Sequence, residues 1–383
     1  MLEPLFWTLL LLGIFPYALY PFAVRALGAL LRRRVAADDA WTPRVTVVTA
    51  AFNEAAHIEA TVRNKLSQDY PPELLDVIVV SDESADGTDE IVTSIAAASG
   101  RVQLIRQTPR QGKTAGLNLA MRAARGDIIV FADANSIYRP DGVRKLVRNF
   151  ADPRVGYVTG KMLYVNPDGS LVGDGCSAFM RYENALRSYE TAIGSIVGVD
   201  GGVDAVRKQL YRPMRADQLP DFVLPLSVVE QGYRVVFEPQ AVLTEETLTT
   251  ESSEYRMRVR VTLRALWALW DKRALLNPLR SGLFAWQLWS HKLLRYLSFL
   301  PLAGALVLNW FLLSAGPIYV LAAAAQVGFG LFVLATVAGP SALARSSLGR
   351  YCFYFALLNW ASAVAFLRFL RGEKQVLWQP RVG

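Results

Sequence analysis

The sequence predicts an α/β domain built on a parallel sheet and bracketed by hydrophobic helices. Three observations carry this. The chain of 383 residues is 52% hydrophobic, yet the apolar excess is confined to residues 5–31 and about 283–370. Between them, short β-branched runs alternate with helical stretches, the pattern of strand–helix–strand units. These runs are apolar throughout, as in strands covered by helices on both faces.

Residues 5–31 are long enough to cross a bilayer, which takes about 20 apolar residues. They lack the basic start and small-residue cleavage site of a removable signal. Arg32, Arg33 and Arg34 follow at once, so this end and the next domain are expected on the cytoplasmic side. Further spans are expected at about 297–315, 317–339 and 351–370. Three later crossings put the C-terminus outside, whereas Arg368, Arg371, Lys374 and Arg381 favour the inside. The expected layout is an N-terminal transmembrane helix (1–35), a cytoplasmic domain (40–252), amphipathic interfacial helices (253–296), then transmembrane helices with a short basic tail (297–383).

In the central domain, "RVTVVTA" (44–50) is a first strand, and Asn53 or Glu54 begins a helix. "LLDVIVVSDES" holds a second strand ending at Asp82, "VQLIRQ" a third. "GKTAGLNLAMRAARG" is a helix closed by Gly126, and "DIIVFADAN" is the fourth strand. In such sheets ligands bind beyond the carboxyl ends of the strands. Three of those ends carry polar groups: Asn53 and Glu54, Asp82, and Asp133 with Asn135.

Several classes are excluded. Cys176, Cys352, His57 and His291 stand far apart, without zinc or disulfide spacing. The first strand leads into "AFNEAA", not the glycine fingerprint of a dinucleotide site, and "RQGKTAG" lacks the first glycine of a Walker loop. Acids at the crevice suggest instead a divalent cation, Mg²⁺ or Mn²⁺, that in turn holds phosphates. The net charge of +8 does not call for nucleic acid, because much of the arginine lies beside the membrane segments, where anionic lipid is the simpler partner.

Six stretches together resemble the family 2 glycosyltransferases of GT-A (Rossmann-like) fold, of the membrane-embedded, cellulose- and hyaluronan-synthase-like kind: "VVTAAFNEAAHI", "VIVVSDESADGTDEI", "RQGKTAGLNLAM", "FADANS", "GVDGGVDAVRKQLY" and "LPDFVLPLSVVEQGYRVVFEP". The resemblance implies a nucleotide-sugar donor. It places Ala51, Asn53 and Glu54 at the base, Asp82 at the nucleoside and Lys113 near the diphosphate. Asp133 and Asn135 would hold the metal, Asp200, Gly201 and Gly202 would lie on the acceptor side, and Asp221 would be the catalytic base. Asn135 departs from the family's Asp-x-Asp; an amide oxygen still ligates a hard cation, with less charge. The Gln-x-x-Arg-Trp of processive synthases is reduced to "MRVRV", in which Arg260 survives and Arg258 is a second candidate for the diphosphate.

The residues themselves leave plainer roles open. Asp221 also suits a helix start, Asp82 a turn, Lys113 a solvated helix start, and Asp200 with Asp204 a simple loop around the glycines. Arg256, Arg260 and Arg264 form one stripe of a basic amphipathic helix, suited to lipid headgroups as well as to a diphosphate.

The reaction implied is inverting transfer from a nucleotide sugar, with UDP expected, to a lipid-linked or growing polysaccharide acceptor. The site is then the cytoplasmic face of the inner membrane, in cell-surface polysaccharide synthesis. The rival readings are a processive synthase that secretes its polymer and an inactive nucleotide-sugar-binding membrane protein. A homo-oligomer stays open.

Overall fold

The computed structural model describes residues 1–165, 174–246, 251–338, 343 and 346–375. The Cys176 side chain and Arg381 of the basic tail lie outside them. The chain divides into two compact units, one formed by Met1–Val24, Gly173–Phe179 and Thr249–Lys374, the other by Arg25–Val172, Met180–Leu248 and the C-terminal residues.

The second unit is an eight-stranded sheet with helices. Its strands are β1 (Val45–Ala51), β2 (Leu75–Ser81), β3 (Val102–Arg106), β4 (Ile128–Asp133), β5 (Ile137–Tyr138), β6 (Val155–Val165), β7 (Val203–Arg207) and β8 (Arg234–Glu246). They lie in the order β3-β2-β1-β4-β7-β6-β8-β5. The first four are parallel, with Val45 beside both Leu75 and Ile128, and every residue of β1 is buried. This is the half the apolar runs predict, with α3 (Ile58–Leu66), α4 (Thr88–Ser99) and α5 (Lys113–Ala123) between its strands. Beyond β4 the sheet is mixed. β7 runs antiparallel to β4 and β6, β8 parallel to β6, and β5 antiparallel to β8.

Two local expectations change. Asp204 is not part of a simple loop around the glycines, because Val203–Arg207 inserts into the sheet next to β4. The helix expected at Asn53 starts at Ile58. Asn53 itself takes φ +54, a turn conformation asparagine tolerates. α6 (Gly142–Val147), α7 (Asp174–Ile193, which belongs to this unit from Met180 on) and α8 (Pro220–Glu230) complete the unit. Pro220 starts α8 because a first-turn residue needs no N–H partner.

The first unit is helical. The N-terminal apolar run consists of α1 (Leu2–Ile14) and α2 (Leu19–Leu31, which continues into the other unit), bent by 62° at a break. Pro16 and Pro21 flank the break and remove backbone donors there. Pro317–Ala338 and Ser347–Leu370 are each long and apolar enough to cross a membrane, and two bent pairs, the N-terminal one and Leu283–Leu297 with Phe299–Phe311, raise the number to as many as four. α9 (Glu251–Asp271) is the basic amphipathic helix. Its Val259 and Leu263 pack on Ala361 and Ala365 of the last long helix, so its apolar stripe is covered by protein.

Candidate functional site

The carboxyl ends of β1, β2 and β4 bring the predicted polar residues to one side of the sheet. At β2, Asp82 is buried. Its carboxylate accepts from the backbone N–H groups of Gln111 (2.9 Å) and Gly112 (3.0 Å), from Gln107, and from Arg110 at 3.3 Å. This fixes the loop that delivers Lys113. Past β1, Ala51 is buried, while the Asn53 side chain accepts from Ala85 N–H and the Glu54 N–H donates to Thr88. Phe52 lies under the Arg110 guanidinium, 3.4 Å from ring centroid to carbon.

Lys113 joins the two acids. Its ammonium lies 2.7 Å from Asp133 Oδ1 and 3.8 Å from Asp221 Oδ1, and the three side chains are 22%, 32% and 32% exposed. Burial disfavours its charge, but Asp133 and then Asp221 outweigh burial and hold Lys113 above the usual lysine range. Gly201 and Gly202 both have φ +73. A Cβ on Gly201 would stand 2.9 Å from Asp221 Oδ2, and one on Gly202 3.0 Å from Asp133 Oδ2. Backbone conformation and space both require glycine here.

Four residues that sequence reasoning did not assign complete the surroundings. Tyr138 donates to the Phe131 and Gly202 carbonyls, tying β4 to the glycine loop. Arg187 binds both oxygens of Asp200, at 2.5 and 2.6 Å. Asp200 is thus an anchor of that loop, held in a buried pair. Lys65 is fully buried, donates to Ser136 O at 2.7 Å beneath the Asp133–Asn135 turn, and is pushed down to about 7 by burial against the pull of Asp133. Asp204, on β7, is 1% exposed. Burial first, and Asp221 next, raise its carboxyl well above the ordinary range. Lys65 carries no motif, and Asp204 lies within "GVDGGVDAVRKQLY" without a role implied there; what marks both is a charged residue in an otherwise apolar strand or helix face.

A hard cation takes oxygen ligands. Asp133, partly exposed at the end of β4 with Lys113 on Oδ1, and the Asn135 side chain, near Glu245 at 3.5 Å, fit a cation that arrives with a diphosphate. Among the described residues no three acids, histidines or cysteines gather as a ready-made metal cluster. Arg258 and Arg260 belong to the other unit, where Arg258 donates to Tyr354.

The chain matches the glycosyl transferase family 2 over residues 46–198 and the glycosyl transferase family group 2 over residues 128–367. It is 26% identical over 231 residues to a probable glycosyltransferase, YdaM, of Bacillus subtilis, covering 57% of this chain and 54% of that one. It is 28% identical over 169 residues to the β-monoglucosyldiacylglycerol synthase of Trichormus variabilis, covering 44% and 36%. The chain thus spans about half the length, or less, of these curated relatives. A solved structure, the mannosyltransferase PcManGT from Pyrobaculum calidifontis in complex with GDP-mannose and Mn²⁺, superposes with a TM-score of 0.75 at 25% identity, over 97% of this chain and 100% of that one. That superposition gives the sheet as a GT-A-like fold. With a family match that takes in more than half of its residues, the chain belongs to the family 2 glycosyltransferases.

Proposed function

We propose that the protein transfers a sugar from a nucleotide-sugar donor, UDP-linked, to a lipid-linked or growing polysaccharide acceptor at the cytoplasmic face of the membrane, with inversion. The observation that carries this is the Lys113 ammonium set between Asp133 and Asp221. An inverting transfer needs positive charge at the leaving diphosphate and a base at the attacking hydroxyl, on opposite sides of the anomeric carbon. Lys113 serves the first need, the electrostatic contribution that usually dominates such steps. Asp221 serves the second, taking the proton of the acceptor hydroxyl as it attacks. Mg²⁺ or Mn²⁺, held by Asp133 and Asn135, adds charge neutralisation on the diphosphate when bound. The Asp82-anchored loop and the Asn53–Glu54 turn line the nucleoside side.

The lipid-borne acceptor is supported by the candidate membrane helices and by a relative named for making a glucosyl lipid. The degenerate "MRVRV" favours single transfer over a processive, secreting synthase.

The test is nucleotide release by the purified full chain in lipid, across UDP-, GDP- and dTDP-sugars with Mg²⁺, Mn²⁺ or chelator, beside Asp221→Asn. One donor turned over in a metal-dependent way is expected, with Asp221→Asn slower by about 10²–10⁴-fold at unchanged donor affinity. Full activity of Asp221→Asn removes it as the base. Turnover of a GDP-sugar alone replaces uracil by guanine, as in the mannosyltransferase complex. Donor binding without release in any lipid extract favours an inactive binding protein.

A further inference from the structure

We propose that the strip Arg32–Arg34, where α2 meets the end of α7, is a binding site for the phosphate of an anionic membrane lipid, separate from the sugar-transfer site. A cavity of about 280 Å³ is lined there by Gly28, Arg32, Arg33, Arg34, Ser188 and Thr191, with Val35 and Ala192 completing the wall.

The backbone beneath this cavity is fastened. A Cβ on Gly28 would lie 2.8 Å from the Tyr189 carbonyl oxygen, so only glycine lets α2 approach α7 this closely. Arg33 N–H donates to the Ala192 carbonyl at 2.8 Å. The half-buried Arg234 then donates to four carbonyls: Gly194 at 2.9 Å, Thr191 at 2.8 Å, Arg33 at 3.1 Å and Arg34 at 3.3 Å. One arginine thereby locks the strip that carries three others.

Those three are exposed, and among the described residues no carboxylate pairs with any of them. Among the described residues the Arg32 side chain donates to the Ala29 carbonyl of α2. The nearby acid, Asp152, is taken by Arg154 at 2.8 Å. Burial lowers the Arg234 guanidinium below its usual range, against the pull of Asp152 and with smaller contributions from Arg154 and Arg33. Guanidinium forks match phosphate oxygens bidentately, and Ser188 and Thr191 line the same wall. The position selects the source of the phosphate. The site opens at the last turn of the apolar N-terminal run, where headgroups would meet a membrane-embedded helix. A positive end of a span needs only scattered charge; it does not need a pocket held by four hydrogen bonds.

The test uses the full chain in neutral detergent, titrated by calorimetry with dioctanoyl phosphatidylglycerol, dioctanoyl phosphatidylcholine or inorganic pyrophosphate. The wild type should bind phosphatidylglycerol saturably and phosphatidylcholine at least tenfold more weakly. Arg33→Ala/Arg34→Ala should weaken phosphatidylglycerol about tenfold or more. Arg33→Gln/Arg34→Gln, which keeps the aliphatic stem and removes the charge, serves if the alanine pair misfolds, and equal unfolding midpoints certify either variant. Pyrophosphate binding should be indifferent to both pairs. Unchanged phosphatidylglycerol affinity in a folded variant, or equal binding of phosphatidylcholine, overturns the proposal. Pyrophosphate binding as tight as phosphatidylglycerol and lost in the same variants assigns the site to a soluble phosphate and overturns the lipid.

Discussion

The two halves of the sheet treat buried acid differently. In the parallel half, Asp82 is answered by Arg110 and two backbone N–H groups, and Asp133 by Lys113. In the mixed half, Asp200 is answered by Arg187, but among the described residues no ion pair reaches Asp204, which lies beside Asp221 and is relieved by Lys113 only as a lesser influence. A half that receives phosphate needs cations held in place, and their attendant acids keep them in position before the donor arrives. A half that receives a neutral hydroxyl needs a base, and surplus positive charge there would blunt it. The division of charge follows the division of labour proposed for the site.

The sharpest way to break this comparison is to remove the one group that touches both halves. Lys113→Ala should lower turnover by about 10²–10³-fold, the size of losing one preorganised electrostatic donor. It should weaken donor binding as well, since the diphosphate loses its cation. Both are read from nucleotide-release kinetics and a donor titration. Lys113→Arg keeps the charge but not the point geometry, so it should recover binding better than turnover. Wild-type kinetics in Lys113→Ala would detach the lysine from the diphosphate.

The neighbouring glycines separate the halves more finely. Alanine at either position meets the same backbone penalty, about 1–2 kcal/mol for a left-handed residue, so stability loss is common to both. The Cβ contacts differ: Asp221 for Gly201, Asp133 for Gly202. Gly201→Ala should cut turnover about tenfold, or ~1.4 kcal/mol of barrier, at unchanged donor affinity. Gly202→Ala should act mainly on donor affinity and its metal dependence. The same kinetic signature from both would show that the loop moves as one body and that the two halves are not separable there.

How much of this was legible follows from what each half is made of. β1, β2 and β4 are continuous apolar runs ending in polar residues, which is the readable form of a covered parallel strand. Asp82, Lys113 and Asp133 could be proposed from motif and position alone. β6, β7 and β8 carry Lys161, Asp204, Arg207 and Glu238 among their apolar residues, which masks the period of a strand, and their neighbours are far away in sequence. The pairing of Asp200 with Arg187 was not legible, because Arg187 lies on a helix whose register no spacing rule supplies. The bend between α1 and α2 is signalled by two prolines, yet hydropathy alone merges the two helices into one span.

The smallest expected effect tests the uncompensated acid itself. The Tyr157 and Thr159 hydroxyls flank Asp204, but no hydrogen bond of normal geometry reaches either carboxyl oxygen from the described residues. Its native proton affinity is raised above the ordinary value of 3.8. Below that value the folded and unfolded chains both hold the proton, and Asp204 has no pH-dependent effect on stability. As pH rises through and above it, the unfolded chain releases a proton that the folded chain keeps, and native stability is lost until the folded value is passed. Asp204→Asn removes this dependence while keeping the shape and replacing the carboxylic O–H donor by an amide N–H. Its thermal unfolding midpoint should therefore match the wild type near about pH 4 and exceed it by a few degrees near about pH 8. A wild type that is the more stable protein at the higher pH would mean that Asp204 is ionised and answered by a cation after all, and the contrast between the two halves would fall with it.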